Sequence, residues 1–220
     1  MRKFIYAVFI LLLVACNHGQ RPSLGCDQIT VLRAQVGAVV SPQEFQQWVS
    51  MTYQLPLDDI SIAPAAIEVV RRGMVTEVIW QRDSLQYGAQ FGERELLRVW
   101  VWGTGTSGDQ LVACLGEPER YFAYSSGVES GLQRSVDLFF PDLGVLAHGW
   151  DYVRPSVRPL PSLGGGFGFE NLVFMKPKPV EQIVNDFWGA DSALAADILQ
   201  RIKPWPGEWA KIEFPPYPPK

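Results

Sequence analysis

The chain has 220 residues, a formal net charge of −4, 47% apolar and 19% charged residues. These values exclude disorder, which requires few apolar residues and high net charge, and no strict Gly period or sustained heptad supports a collagen-like or coiled-coil chain. The acidic balance, with no Lys/Arg cluster beyond Arg71-Arg72, speaks against a nucleic-acid partner, whose phosphates need a basic stripe.

Residues 1–15 read as a secretory signal peptide. Met1, Arg2 and Lys3 give a positive start, and Phe4 to Ala15 run without a charge or helix breaker, too short for the roughly 20 apolar residues that span a bilayer. The run ends in Leu13-Val14-Ala15-Cys16, which resembles a bacterial lipobox and implies that Cys16 is acylated and becomes the mature N-terminus. Each buried acyl methylene contributes about 0.8 kcal/mol, so several chains on one Cys hold a protein on a membrane. Asn17, not Asp, follows Cys16, which implies an outer-membrane destination in a cell with two membranes. The expected location is extracytoplasmic. Residues 16–25 are expected to form the lipid-anchored tether, flexible from Asn17 to Ser23.

Cys26 and Cys114 remain as an even pair in an oxidising compartment. A bridge between them would close a loop of roughly 90 residues and add about 4 to 5 kcal/mol in the chain-entropy model. The other reading makes Cys114 a small core residue on a helix face and Cys26 a free thiol.

Ser41-Pro42-Gln43-Glu44 starts a helix, with an N-cap Ser, Pro at the first helical position and Glu closing a capping box. Phe45, Trp48, Val49 and Thr52 follow on one face, and Pro56 stops the helix by Leu55. Strands are expected at Ala66 to Val70 and Val75 to Trp80 around a turn at Arg71-Arg72-Gly73, with a turn or bulged strand at Tyr87 to Gly92. In a further strand, Leu96 to Trp102, Leu97, Val99 and Val101 alternate with Arg98, Trp100 and Trp102. If the earlier strand pairs in register, Trp80 and Arg82 join them on one aromatic and basic face. A second helix begins at Ser107, with Gln110 closing a capping box, carries Leu111, Cys114 and Leu115, and ends at Gly116 and Pro118. Strands follow at Tyr121 to Ser125, Ser135 to Phe140 and Val145 to Trp150, with a turn at Pro141 to Gly144.

Ser107-Gly108-Asp109-Gln110-Leu111, then Leu115-Gly116-Glu117-Pro118, then paired strands, resembles the repeat of outer-membrane-assembly lipoproteins of the SmpA/OmlA type over residues 107–140. The same plan is shared with β-lactamase-inhibitor-like proteins. The resemblance implies a short helix packed on paired strands in a lipid-anchored assembly protein; it does not imply inhibition of a β-lactamase. Residues 41–103 read as a diverged first copy of 104–150, although no Leu-Gly-x-Pro ends the first helix.

Residues 151–170 read as a Pro- and Gly-rich loop, and Leu172 to Met175 as an edge strand, because Pro177 and Pro179 forbid its continuation within a sheet. Over residues 178–203 a helical pair is expected. Pro179 opens a helix with Val180, Ile183, Val184, Phe187 and Trp188 on one face, and Asp191 caps another with Leu194, Ile198, Leu199 and Ile202. Residues 215–220 form a Pro-rich tail.

No catalytic, metal or cofactor motif is present. His148 is the one imidazole outside the tether and has no G-x-S-x-G partner, and H-E-x-x-H, C-x-x-C and P-loop patterns are absent. Asp137, Asp142, Asp151 and Glu170 lie among aromatics but read as solvated acids. The sequence therefore predicts a single α+β domain over 26–214: a mainly antiparallel sheet with two short capped helices on one face plus the C-terminal helical pair. Its expected role is non-catalytic protein binding or assembly at the envelope, bound to a membrane by its lipid. The alternatives are a glycan-acting hydrolase and a small-ligand carrier. The partner face is expected at Trp80, Arg82, Arg98, Trp100 and Trp102, if the helices do not cover it.

Overall fold

The computed structural model describes residues 21–64, 75–92, 95–128, 131–154, 162–190 and 192–215. The signal peptide, Cys16, the tether up to residue 20, the strand and turn expected at 66–73, Asp191 and the tail from residue 216 lie outside them.

Helix α1 (Cys26–Gln35) and helix α2 (Pro42–Tyr53) lead into strands β1 (Ser61–Pro64), β2 (Thr76–Arg82), β3 (Leu85–Phe91) and β4 (Leu96–Ser107). Helix α3 (Gly108–Leu115) then leads into β5 (Arg120–Val128), β6 (Gly131–Phe140), β7 (Val145–Val153) and β8 (Gly168–Met175). Helices α4 (Val180–Trp188) and α5 (Ala193–Arg201) and the short β9 (Lys203–Pro204) complete the order. The sheet runs β1-β2-β3-β4-β8-β7-β6-β5-β9, antiparallel throughout. The α+β class with a sheet-dominated core is thus as the sequence predicts.

A helix followed by four antiparallel strands occurs twice, and the two meanders meet at their last strands, β4 against β8. The second unit extends to Met175, beyond the boundary at 150. Strand β8 is central, not an edge: Pro177 and Pro179 follow its last residue, so they end the strand without touching its ladder.

Strand alternation divides the apolar residues between two clusters. The first joins Ile29 and Leu32 of α1, Phe45 and Val49 of α2 and Leu111 of α3 to Val78, Trp80, Tyr87, Val99, Val101, Val136, Leu138 and Leu172 of the sheet. The second joins Val180, Ile183 and Val184 of α4 and Ala195 and Ile198 of α5 to Phe122, Phe139, Leu146, Val173 and Met175.

Local chemistry sets the helix ends. Ser41 and Glu44 close the capping box of α2, Ser41 N donating to Glu44 Oε2 at 2.8 Å and Glu44 N to Ser41 Oγ at 3.2 Å. Ser107 caps α3, but Gln110 does not close a box: its Nε2 donates to the Leu24 carbonyl at 2.8 Å. The expected tether is therefore docked from Arg21 onward. Leu24 is buried, its N–H donates to Thr106 Oγ1 at 3.0 Å, and Gly105 N donates to the Pro22 carbonyl at 2.9 Å. Helix α1 has no counterpart in the sequence reading, since Ile29, Thr30 and Val31 are β-branched and favour strands. Its first residue, Cys26, is disulfide-bonded to Cys114 of α3, with Cα atoms 5.0 Å apart. Ser192 caps α5 through Ala195 N at 2.9 Å, and Ala195 rather than Leu194 faces the core, because the helix frame follows that cap. Thr52 is likewise exposed, since in the last turn of α2 it is Tyr53 that meets the sheet, against Trp80 and Tyr87.

Candidate binding face

Placement of the aromatic residues depends on register. Asp83 and Ser84 both have positive φ, 52° and 67°, so they form a two-residue primed turn that fixes the β2–β3 hairpin. Trp80 then lies opposite Tyr87, which lies opposite Val101. This overturns the expected common face: Trp80 and Arg82 belong with the helix-covered core, whereas Arg98, Trp100 and Trp102 point from the other side. Trp80 is buried and stacked on Tyr87, with ring centroids 5.3 Å apart, and the Arg82 guanidinium sits 5.3 Å from the Tyr53 ring centroid. Burial pushes the Tyr53 and Tyr87 hydroxyls up to about 12, so both stay neutral. A register shift between Gln90 and Phe91 also pairs Leu96 with Phe91, so Leu96, not Leu97, fills the core.

Across the opposite face, register places Gln81, Gln86, Trp102, Asn171, His148, Asp137 and Phe122 side by side on β2, β3, β4, β8, β7, β6 and β5. Helices α4 and α5 cover the β5–β8 end of the neighbouring row through Phe139, Leu146 and Val173. They leave Trp102 48% exposed, and Trp150 and Tyr152 of β7 36% and 41% exposed.

The indoles beside this row are held by carboxylates. Trp100 Nε1 donates to Glu77 Oε1 at 3.0 Å, and Trp150 Nε1 donates to Glu170 Oε2 at 2.5 Å. Glu77 also accepts from Gln90 Nε2 at 3.1 Å, and Glu170 pairs with Arg21. Gly88 has no side chain because the Trp100 ring occupies the place of its Cβ. Arg98 donates to Gln90, and its guanidinium lies 5.2 Å from the Phe187 ring centroid. Between these side chains and α4 runs an open groove of about 400 Å³, walled by Ile79, Trp100, Trp102, Val173 and Phe187 and bordered by Gln86, Arg98 and Asn171.

Asp137 is buried and its Oδ1 lies 2.6 Å from His148 Nδ1. Burial alone disfavours the imidazolium, but the hydrogen bond and charge of Asp137 outweigh it and hold His148 above its ordinary range. Beside the pair, burial raises Tyr124, opposed by its hydrogen bond to Ser135. Asn171 Oδ1 is buried with no hydrogen-bond partner among the described residues. Sequence reasoning passed over Asn171 and the Asp137–His148 pair. Asp137 and His148 stand eleven residues apart, and only the β6–β7 register makes them neighbours.

Of the acids that read as solvated in the sequence, Asp137 and Glu170 are instead buried, each hydrogen-bonded to a side chain of the open face, and the other two lie elsewhere. Asp151 pairs with Arg134 on the helix-covered side, Arg134 Nε donating to Asp151 Oδ1 at 2.9 Å, while Asp142 sits in the turn after β6. A larger hollow of about 600 Å³, between Pro141, Pro177, Lys178 and α4–α5, shares no lining residue with the groove and has no aromatic wall. No protein-family model, curated protein or solved structure matches the chain.

Proposed function

We propose that this protein is a membrane-tethered cell-envelope lipoprotein, acylated at Cys16, that acts without catalysis by docking a partner protein on the open sheet face. One observation carries the docking reading: among the described residues, the exposed large aromatic side chains are Trp102, Trp150 and Tyr152, and all three stand on this face. Aromatic anchors held in place lose little entropy on binding and are the residues on which interface energy concentrates. The carboxylates that fix Trp100 and Trp150 supply that rigidity.

The lipobox supports the anchor, and the Cys26–Cys114 bridge suits an oxidising, extracytoplasmic compartment. The helix-and-meander plan, found twice, supports the resemblance to the repeat of assembly lipoproteins. We place the protein at the outer membrane if its cell has two.

The test is site-specific photo-crosslinking from Gln81 and Gln86 in intact cells. A discrete protein adduct that disappears in Trp102→Ala/Trp150→Ala, while the melting temperature stays near that of the parent, supports the reading. An adduct indifferent to both tryptophans overturns the docking face, and mass spectrometry showing unmodified sulfur at Cys16 overturns the anchor.

A further inference from the structure

We infer that the centre of the open face, at Trp102, Asn171 and His148, is a receptor for an arginine side chain presented by the partner protein. The inference rests on the docking reading above and adds the chemistry of the anchor.

Three adjacent strands supply complementary groups. Trp102, Asn171 and His148 are directly opposed neighbours in the register of β4, β8 and β7, so their Cβ atoms are spaced at about 4.5 to 5.5 Å per step. Asn171 Oδ1 is an acceptor without a donor among the described residues. A buried acceptor left in that state is costly, and no hydrogen bond holds the oxygen in its covered place. The terminal amide torsion is soft and roughly two-fold, so a turn about it brings the oxygen to the groove that Asn171 borders and the NH2 to the place the oxygen leaves.

The second acceptor is His148. Asp137 keeps His148 protonated to a higher pH than an ordinary imidazole; once the ring is deprotonated, its Nδ1–H stays donated to Asp137 and Nε2 offers a lone pair. Trp102 supplies the third element, a half-exposed indole whose π face attracts a cation. A guanidinium meets all three requirements at once: it is planar, stacks on an indole, stays charged and carries several N–H donors in a fixed fork. An ammonium lacks the flat surface, and a neutral sugar lacks the charge.

Electrostatics favour the same occupant. Asp137 lies on the next strand, Glu170 is adjacent to Asn171, and Glu77 borders the groove. Of the guanidinium groups beside it, Arg98 is engaged with Gln90 and the Phe187 ring, and Arg21 pairs with Glu170. The chain as a whole is acidic, with net charge −4 even when Arg2 and Lys3 of the signal are counted, and so attracts a cationic partner surface.

The experiment titrates the purified, disulfide-intact protein with a capped Gly-Arg-Gly peptide, its citrulline counterpart and chitotetraose. The readout is the indole and imidazole NMR signals, taken at a pH above the titration that the His148 signals themselves report, where the ring is neutral. Saturable shifts of the Trp102 and His148 signals are expected with the arginine peptide, and binding about tenfold weaker with citrulline, which keeps the shape but loses the charge. Asn171→Leu and Trp102→Ala should each weaken the arginine peptide, with folding checked by the dispersion of the remaining indole signals. Equal binding of arginine and citrulline overturns the inference. So do shifts produced by chitotetraose in place of the arginine peptide, which would make the face a glycan platform. If the arginine peptide fails while the Trp102-dependent protein adduct persists, the docking face stands and the arginine anchor falls.

Discussion

The two faces of the sheet use the same residue type to opposite ends. On the helix-covered face, Trp80 is buried between Tyr87, Tyr53 and Phe45, a packing element whose indole N–H has no partner among the described residues. On the other face Trp100 and Trp150 donate to carboxylates, and Trp102 stands half in solvent. The Trp80 ring serves by the volume it fills, whereas an indole that serves a surface needs an orientation, and hydrogen-bonded acids provide it. The difference follows from strand parity and not from composition.

Trp80→Ala should therefore have the largest effect, destabilising the fold by about 3 to 5 kcal/mol through an uncollapsed cavity, as read by urea denaturation. Trp102→Ala should stay within about 0.5 kcal/mol of the parent in the same experiment. Equal losses at the two positions would erase the distinction between the faces.

Next comes the covalent tie within the helix layer. Replacing Cys26 and Cys114 together by Ser should cost about 2 to 5 kcal/mol, since it frees α1 and α3 from each other and lengthens the loops open to the unfolded chain. The aromatic signals of the open face should move little, because neither helix touches it.

Gly88→Ala probes the open face from below. Its methyl group enters the space of the Trp100 ring, so a loss of about 1 to 3 kcal/mol is expected together with a changed Trp100 indole signal. A silent substitution would mean that the ring is free to lie elsewhere.

The smallest effect is the dependence of stability on pH. His148 binds its proton more tightly folded than unfolded, so its contribution is fully present below its unfolded value, about 6.5, and is lost as pH rises through the higher folded one. Denaturation midpoints measured across that interval should fall with rising pH, and Asp137→Asn should remove that slope.

Much of the architecture is legible from residues 41–57 and 107–118, where a capping Ser, a helix face and a terminating Gly or Pro follow in order. The open face is less legible. The strongest sequence signal of a primed hairpin turn is Gly after Asn or Asp, yet Asp83-Ser84 adopts positive φ without it, so the β2–β3 hairpin and the parity of Trp80 stay hidden. Leu97 reads as core because alternation says so, but a bulge gives that place to Leu96. Asn171 and His148 carry no motif, and their meaning arises from the strands beside them.

By itself the chain determined where α2 and α3 begin, that strands run through 76–80, 96–102, 121–125, 135–140 and 145–150, and that its body combines helices with an antiparallel sheet, because caps, prolines and alternation act over a few residues. Tertiary structure alone decided that β8 is central, that Trp80 and Trp102 part to opposite sides, and that Asp137, His148, Asn171 and Trp102 form one row. The physical reason is register: shifting a strand by one residue exchanges its faces, and register is set by turns, bulges and distant pairings that no short window of sequence contains.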